Sequence, residues 1–356
     1  MNTTMIKRIM PIEYNYILKH IKEFLNQKKP SFKTKFENSE RRVLFLDAPE
    51  YGNIGDQALC LSAKLFVKSV LPNYDQFEVQ EDKFLSYFLW LKSKVKPSDI
   101  ICLNGGGNMG ALYHSYEGIR RVIIKTFTNN PIIIFPQTID YEKSRYGQKE
   151  LNRSIKIYSK HPNLIICARE EKSYKLMKNS YKNAKVILCP DIVFSLDIDD
   201  IIKNMNDRSY VGICIRNDEE GILSAEEKTI ILNKFSNPLL LTTMCLTGER
   251  IDERNREKIV YEKLKEFARC KLVITDRLHG MIFSYITNTP CIALPNSNGK
   301  VKGVSRWIKN KGTIRYVENI SDIQLCNENC HNRKLESEYS ELACTIKNVV
   351  NYRGEK

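Results

Sequence analysis

Short apolar runs alternate with longer amphipathic segments along most of the chain. Runs that predict strands lie at residues 43–46, 99–103, 131–135, 164–168 and 185–189, and a second series lies at 210–215, 238–242, 271–274 and 290–294. Consecutive rather than alternating apolar positions are typical of strands buried on both faces of a parallel sheet. Because helix-length segments separate the runs, the pattern predicts an α/β fold with two doubly wound, Rossmann-like domains that face a cleft.

The same pattern divides the chain into four parts. Residues 1–40 are expected to form an amphipathic helix, over 11–29, and a basic linker. Two Rossmann-like domains follow, at 41–200 and 201–325, since a chain of 356 residues exceeds what one hydrophobic core usually serves. Residues 326–356 are predicted to be a tail with a closing helix.

The chain is strongly basic, with a formal charge of +14 at pH 7 and a pI near 9.1. This charge favours an anionic partner, which leaves nucleic acid, phosphorylated metabolites and the anionic inner face of a membrane as candidates. A generally basic, solvated surface is the alternative explanation. The start of the chain lacks the apolar segment of a signal peptide, and no apolar run has the length of a membrane span. We therefore expect a cytoplasmic protein.

The eleven cysteines are mostly single residues within apolar runs, as at Cys102 and Cys189. Such cysteines are typical of small buried side chains in a protein from a reducing compartment. Cys326, Cys330 and His331 form one close group, but no further ligands lie nearby in the sequence. The sequence therefore predicts no metal site.

The first strand leads into a glycine-containing turn with Gly52, Asn53, Gly55 and Asp56. Glycines at a strand-to-helix turn let backbone N–H groups approach an anion, and Asn53 and Asp56 are candidates to contact a ligand. A turn that merely starts a helix, with these two side chains as caps, is the alternative.

A second glycine turn, Gly105-Gly106-Gly107, follows the strand predicted at 99–103. Consecutive glycines at a strand end indicate close backbone approach by a ligand or by a neighbouring loop. The segment lacks the lysine and hydroxyl residue of a P-loop and departs from the spacing of the dinucleotide fingerprint, which argues against ATP hydrolysis and an NAD site.

Charged side chains follow several other strands. The run at 271–274 leads into Asp276, Arg277 and His279, where open α/β sheets bind ligands. Arg169 follows the strand at 164–168 and offers a forked donor to a carboxylate or phosphate, unless it forms only a surface pair with Glu170. Lys300 follows the strand at 290–294, in a loop that either clamps a phosphate or is simply solvated.

Seven of these segments occur in an order that resembles the polysaccharide pyruvyltransferase family, over about residues 43 to 310. The segments are Gly52-Asn53-Ile54-Gly55-Asp56, Gly105-Gly106-Gly107, Phe135-Pro136-Gln137, Ala168-Arg169-Glu170, Pro190-Asp191, Asp276-Arg277-Leu278-His279-Gly280 and Asn296-Ser297-Asn298-Gly299-Lys300.

The resemblance implies a fold like the two-domain GT-B glycosyltransferases and transfer of a pyruvyl group from phosphoenolpyruvate to two hydroxyls of a sugar, giving a ketal. The acceptor it implies is a precursor, often lipid-linked, of a capsule, exopolysaccharide or cell-wall glycan. It associates Arg169, Arg277, Leu278 and His279 with the donor, which places the donor site in the domain at 201–325. No cofactor is implied, because phosphoenolpyruvate is itself the donor substrate.

The residues fit that chemistry. Phosphoenolpyruvate carries a carboxylate and a phosphate, which Arg169, Arg277 and Lys300 can neutralise while amides of the glycine turns add hydrogen bonds. His279 is the best candidate for a proton transfer, since its reference pKa of about 6.5 suits either direction. Asp56 is either a second acid or base or a ligand of the acceptor.

Two other functions compete with this prediction. A glycosyltransferase that uses a nucleotide sugar would also place basic groups and a glycine turn around a diphosphate. A non-catalytic protein that binds nucleic acid or another anionic polymer would also be basic, but no nucleic-acid motif appears and basic and aromatic residues are not interleaved. We therefore expect no nucleic-acid partner, and we expect peripheral contact with the anionic inner membrane face.

Overall fold

The computed structural model describes residues 10–203, 208–218, 220–245, 248–310, 312–324, 332 and 334–354. The cysteine and histidine group at 326–331 lies outside these residues, as do residues 1–9. No helix in the described ranges is long and apolar enough to cross a bilayer.

The strands of the described chain, in order, are β1 (Arg42–Ala48), β2 (Asp75–Gln80), β3 (Ile100–Leu103), β4 (Gly106–Gly110), β5 (Ile132–Asp140), β6 (Leu164–Ala168), β7 (Lys185–Leu188), β8 (Tyr210–Cys214), β9 (Leu239–Leu240), β10 (Cys270–Thr275), β11 (Cys291–Ala293) and β12 (Ile314–Tyr316). The α-helices are α1 (Ile12–Lys19), α2 (Ile21–Leu25), α3 (Lys33–Asn38), α4 (Ile54–Val70), α5 (Phe84–Lys94), α6 (His114–Thr126), α7 (Arg145–Tyr158), α8 (Glu171–Ser180), α9 (Asp199–Lys203), α10 (Ala225–Asn233), α11 (Arg256–Ala268), α12 (Leu278–Ile286), α13 (Lys300–Ser305) and α14 (Ser340–Gly354).

The chain forms two compact units, each built from separate segments. Unit 1 comprises Met1–Glu50, Ala63–Asp191 and Ser337–Lys356, and unit 2 comprises Tyr51–Ser62 and Ile192–Glu336. The first turns of α4 thus belong to unit 2, and the closing helix α14 belongs to unit 1. Hydrophobic periodicity marks elements but not their partners, so the sequence suggested continuous domains with a boundary near residue 200.

Unit 1 contains a parallel sheet with the order β2-β1-β3-β5-β6-β7, and β4 pairs with β5 beyond the end of β3. β1, β3 and β6 are buried at every position, which is why they appear as uninterrupted apolar runs. Unit 2 contains a parallel sheet with the order β12-β11-β10-β8-β9. The predicted α/β class, with two parallel-sheet units, is confirmed.

The N-terminal region differs from its prediction in two ways. The helix predicted over 11–29 is divided at His20 into α1 and α2. The predicted linker contains helix α3, which buries Phe36 against Phe77 and Trp90, with ring centroids 4.9 and 5.1 Å away. Burial of the Phe36 side chain stabilises the packing of this short basic segment against the rest of unit 1.

The segment at 105–107, predicted as a glycine turn, contains the start of a strand. Gly106 and Gly107 belong to β4, and Gly106 pairs with Gln137 of β5. The Gln137 side chain donates to the Asn104 carbonyl at 2.7 Å, and Gly106 has a φ of 135°, which glycine tolerates. Gly106 therefore lies in a strand that pairs with β5.

Candidate active site

The carboxyl ends of four neighbouring strands of unit 2 lie along one edge of its sheet. Arg216 follows β8, Thr243 follows β9, Asp276 and Arg277 follow β10, and Lys300 follows β11. Parallel strands place their carboxyl ends on the same edge, where α/β proteins bind ligands. Two of the predicted site segments, at Arg277–His279 and at Lys300, thus lie in a single unit, together with the predicted turn at the start of α4.

Helix α12 begins directly after β10 because Thr275 organises the turn. The Thr275 hydroxyl donates to the Cys214 carbonyl at 2.7 Å and accepts from the Arg277 N–H at 3.0 Å. A Cβ on Gly280 would lie 2.4 Å from the same hydroxyl oxygen, so only glycine fits there. Leu278 is buried, and its packing fixes the orientation of the first helical turn. The backbone that carries Arg277 and His279 is therefore held in place.

His279 packs against the backbone of Gly55, at the start of α4. A Cβ placed on Gly55 would come within 2.1 Å of His279 Nδ1. The other side of the imidazole faces Phe283, with ring centroids 6.0 Å apart. The absence of a side chain at Gly55 therefore provides the space in which the imidazole lies.

The turn before α4 is held in place by the segment after β9. Ile54 N–H donates to the Thr243 carbonyl at 2.8 Å, and Cys245 N–H donates to the Gly52 carbonyl at 2.6 Å. Asn53 pairs with Met244 as an isolated antiparallel bridge. The Thr243 hydroxyl also accepts from Arg277 Nη1 at 3.4 Å, so Thr243 connects the α4 turn to the start of α12.

Asn53 and Asp56 form a local network within the α4 turn. The Asn53 side-chain oxygen accepts from the Gly55 N–H at 3.1 Å, and its amide donates to the Asp56 carboxylate at 2.8 Å. The Tyr51 hydroxyl donates to the same carboxylate oxygen at 3.0 Å. Asn53 thus acts as a helix cap, as the sequence suggested, and Asp56 is an ordered, half-buried carboxylate.

Arg277 and Asp276 carry buried polar atoms that the described residues do not satisfy. Nε of Arg277 and Oδ2 of Asp276 are buried and have no hydrogen-bond partner in the described part of the chain. The other Asp276 oxygen accepts from the Arg216 N–H at 2.9 Å. Burial raises the pKa of Asp276, and the neighbouring Arg216 and Arg277 partly oppose that rise. A buried guanidinium N–H without a hydrogen-bond partner among the described residues favours binding of an anion.

Lys300 is held by a carboxylate of unit 2. Its ammonium group donates to Glu220 Oε2 at 2.6 Å, and Arg216 Nη1 lies 2.9 Å from the same oxygen. Arg216 Nε also pairs with Asp218 at 2.6 Å. Lys300 is therefore part of a charge cluster and not an exposed loop cation.

Arg169 and the glycines at 105–107 belong to unit 1. Arg169 is 1% exposed; its Nη1 donates to Asp191 and its Nε to the Thr138 hydroxyl, both at 2.8 Å. The partner is thus Asp191 and not Glu170, which accepts from the hydroxyls of Thr138 and Ser173 instead. The structure unites Asn53, Asp56, Arg277, Leu278, His279 and Lys300 in unit 2, whereas Arg169 and Gly105–Gly107 lie in unit 1.

Two structural residues of the unit 2 site were not predicted. Thr243 lies beside a strand of only two residues, so nothing local marks it. Arg256, at the start of α11, is buried and donates to the Gln57 side chain at 2.7 Å. Arg216 and Glu220 could have been found, since they follow β8 at the same sheet edge as the predicted residues.

Comparison with known proteins identifies the family of the chain. Residues 53–298 match the polysaccharide pyruvyl transferase family. The chain belongs to this family. Family membership makes it a transferase and implies a polysaccharide acceptor. The match starts at the α4 turn and ends just before α13, so it spans the site residues of unit 2 except Lys300, and those of unit 1.

Individual relatives cover most of the chain. General stress protein 30 of Bacillus subtilis is 35% identical over 286 residues, which is 79% of this chain and 82% of that protein. Pyruvyl transferase 1 of Schizosaccharomyces pombe is 27% identical over 279 residues, which is 73% of this chain and 68% of that protein. The crystal structure of an uncharacterized protein from Klebsiella pneumoniae aligns with a TM-score of 0.52 at 18% identity, over 81% of this chain and 96% of that one. That similarity supports the fold.

Proposed function

We propose that this transferase moves a pyruvyl group from phosphoenolpyruvate to two hydroxyls of a sugar in a capsule, exopolysaccharide or cell-wall glycan precursor, forming a cyclic ketal. The observation that carries the proposal is the buried Nε of Arg277, which has no partner in the described residues and lies at the sheet edge beside His279. A carboxylate or phosphate of the donor would satisfy this N–H with a charge-assisted hydrogen bond.

Two features of unit 2 suit a small dianion. Helix α12 begins immediately after Arg277, so the positive end of its dipole adds to the guanidinium charge. The N–H of Arg216, at the end of the neighbouring strand β8, donates to Asp276 Oδ1 at 2.9 Å, so one oxygen of this buried carboxylate is already engaged within unit 2. The proposal needs no cofactor, because the enol phosphate is the activated donor.

The reaction balances without an oxidant or reductant. The oxygen of one sugar hydroxyl bonds to C2 of phosphoenolpyruvate and loses its proton, while C3 accepts a proton and becomes a methyl group. A second hydroxyl of the same sugar then displaces phosphate from C2, which closes the ketal, and its proton is lost. Each stage needs a group that gives or takes a proton at the donor.

His279 is proposed to make one of these transfers because its imidazole is fixed against Gly55 and it follows Arg277 by two residues at the start of α12. Asp56 is proposed either as the second acid or base or as a ligand of the acceptor sugar. Its carboxylate is held by Tyr51 and Asn53. The roles of Arg169, Lys300 and Gly105–Gly107 in donor binding rest on the family resemblance.

The direct test is a donor comparison. The purified chain is incubated with phosphoenolpyruvate, or with a panel of nucleotide sugars, in the presence and absence of candidate glycan precursors. We expect release of phosphate from phosphoenolpyruvate only when an acceptor is present, and a product whose mass exceeds that of the acceptor by one pyruvyl ketal. Acceptor-dependent release of a nucleotide would instead identify a glycosyltransferase and overturn the proposal.

Two variants test the residue assignments. His279→Ala should lower kcat by about 100-fold or more, the usual contribution of a positioned acid or base, without a change in thermal stability. Asp56→Asn should lower kcat if Asp56 transfers a proton, and should raise the KM of the acceptor if it binds the sugar. Glu226→Gln, at an exposed position of α10, is the matched control and should leave both constants unchanged. Full activity of His279→Ala would contradict the proposed role.

A further inference from the structure

The N-terminal helices of unit 1 present a row of exposed apolar side chains. Tyr14 and Leu18 of α1 are 45% and 54% exposed, and Ile21 and Leu25 of α2 are 37% and 75% exposed. Within each helix the two residues are four positions apart and therefore share a face. Leu89 of α5 is also 53% exposed, and its N–H donates to the side chain of Gln27, just beyond α2. Such contiguous apolar surface is typical of an interaction site.

These helices are firmly attached to unit 1 by their other face. Ile12 and Tyr16 are buried against α6, where a Cβ on Gly118 would lie 2.5 Å from that of Tyr16. The buried Glu13 carboxylate lies 3.4 Å from Arg121 Nη1 and 3.0 Å from Arg153 Nε. The exposed apolar side chains therefore lie on helices whose opposite face packs against the rest of unit 1.

A cationic cavity adjoins the apolar row. It has a volume of about 420 Å³ and is lined by Lys125, Arg153, Lys156 and Lys160, with Glu13 as its single carboxylate. Lys125 Nζ and the Arg153 guanidinium lie 5.0 and 5.7 Å from the centre of the Tyr14 ring. Tyr14, the first residue of the apolar row, thus contacts two of the cations that line the cavity.

We propose that this surface, composed of the apolar row and the cationic cavity, binds the anionic face of a phospholipid bilayer. Apolar side chains that enter the headgroup region beside several cations are the features of a peripheral membrane site. A second copy of the chain is a less suitable occupant, because a symmetric contact would bring like charges together. A nucleic acid is also less suitable, because it would leave the exposed leucines without an apolar contact. The inference does not depend on the reaction in unit 2.

Vesicle flotation with the full chain tests this assignment. We use vesicles of phosphatidylcholine alone and of phosphatidylcholine with phosphatidylglycerol in equal parts, each at low and at high salt. Binding is expected for the anionic vesicles and should weaken as salt rises. No binding to anionic vesicles at low salt would overturn the proposal.

Paired variants separate the two components. Lys156→Gln with Lys160→Gln should weaken binding roughly 25-fold, at about fivefold for each cation near an anionic surface. Leu18→Ser with Leu25→Ser should weaken it by about 100-fold or more. The matched controls are Lys172→Gln with Lys178→Gln, on the exposed side of α8, and Leu65→Ser on α4; they should bind like the parent chain.

All of these side chains are exposed, so the folded state should tolerate the changes, which thermal melts will verify. Binding that survives both test pairs would refute the assigned surface. Concentration-dependent self-association that Leu25→Ser abolishes, without vesicle binding, would instead identify a second copy as the occupant. Binding of RNA that needs the lysines but not the leucines would likewise overturn the lipid assignment.

Discussion

The contact between Gly55 and His279 predicts a large effect from one methyl group. In Gly55→Ala the new Cβ would lie 2.1 Å from His279 Nδ1 and 2.6 Å from Cγ. Since non-bonded heavy atoms approach to about 3.5 Å, the ring would have to move by about 1.4 Å. Misplacement of a reacting group by about 1 Å can cost about 100-fold in rate, so we expect kcat to fall by at least that factor.

The same substitution should have little effect on folding. Alanine is favoured over glycine in a helix by about 0.5–1 kcal/mol, whereas overpacking costs about 1–3 kcal/mol, so the two contributions partly cancel. The assay is acceptor-dependent release of phosphate from phosphoenolpyruvate, accompanied by thermal melts. The imidazole resonance of nitrogen-labelled His279, assigned through its loss in His279→Ala, reports displacement independently of turnover.

Gly248→Ala provides a matched control. Gly248 lies in unit 2 with a φ of 67°, and among the residues that the structure describes no atom lies within 4 Å of a Cβ placed on it. This change adds backbone strain but displaces no neighbouring side chain, so the rate should stay close to that of the parent. If Gly55→Ala kept both the parent rate and the parent His279 resonance, the argument that Gly55 makes room for a functional imidazole would be refuted.

Three further changes test other parts of the structure. Thr243→Val removes the hydroxyl that accepts a hydrogen bond from Arg277. We expect the KM of phosphoenolpyruvate to rise about fivefold, which corresponds to the loss of one hydrogen bond. An unchanged KM would contradict the inference that Thr243 positions Arg277 for the donor. Arg169→Met leaves the buried Asp191 carboxylate without its cation and should lower the urea unfolding free energy by about 3–5 kcal/mol, whereas Arg169→Met with Asp191→Leu should recover most of it. Burial raises the pKa of Asp47 from 3.8 to about 6, so folding favours its protonated form and stability should fall as pH rises from about 4 to 6, by about 3 kcal/mol. Asp47→Asn, which can still accept from the Asn104 N–H, should abolish this contribution in unfolding titrations, and an unaltered pH dependence would show that another group is responsible.

The strands that the sequence revealed are those buried on both faces. β1, β3 and β6 appear as apolar runs because no side of them meets water. β2 was missed because it lies at the edge of its sheet and only Phe77 and Val79 are buried. β12 is another edge strand, of three residues with none fully buried. Edge strands lack the continuous apolar pattern on which the prediction depends.

The sequence by itself determined which residues follow β1 and β10, because strand and helix signals are local. It thereby identified Arg277, His279, Asn53 and Asp56 as candidates for chemistry. Only the tertiary structure decided how each cation is used, since long-range packing selects ion partners from distant segments. The tertiary structure buries Arg169 in an ion pair with Asp191 and pairs Lys300 with Glu220. Arg277 Nε, by contrast, has no hydrogen-bond partner among the described residues. The tertiary structure also brings Gly55 against His279, a contact that no local pattern encodes.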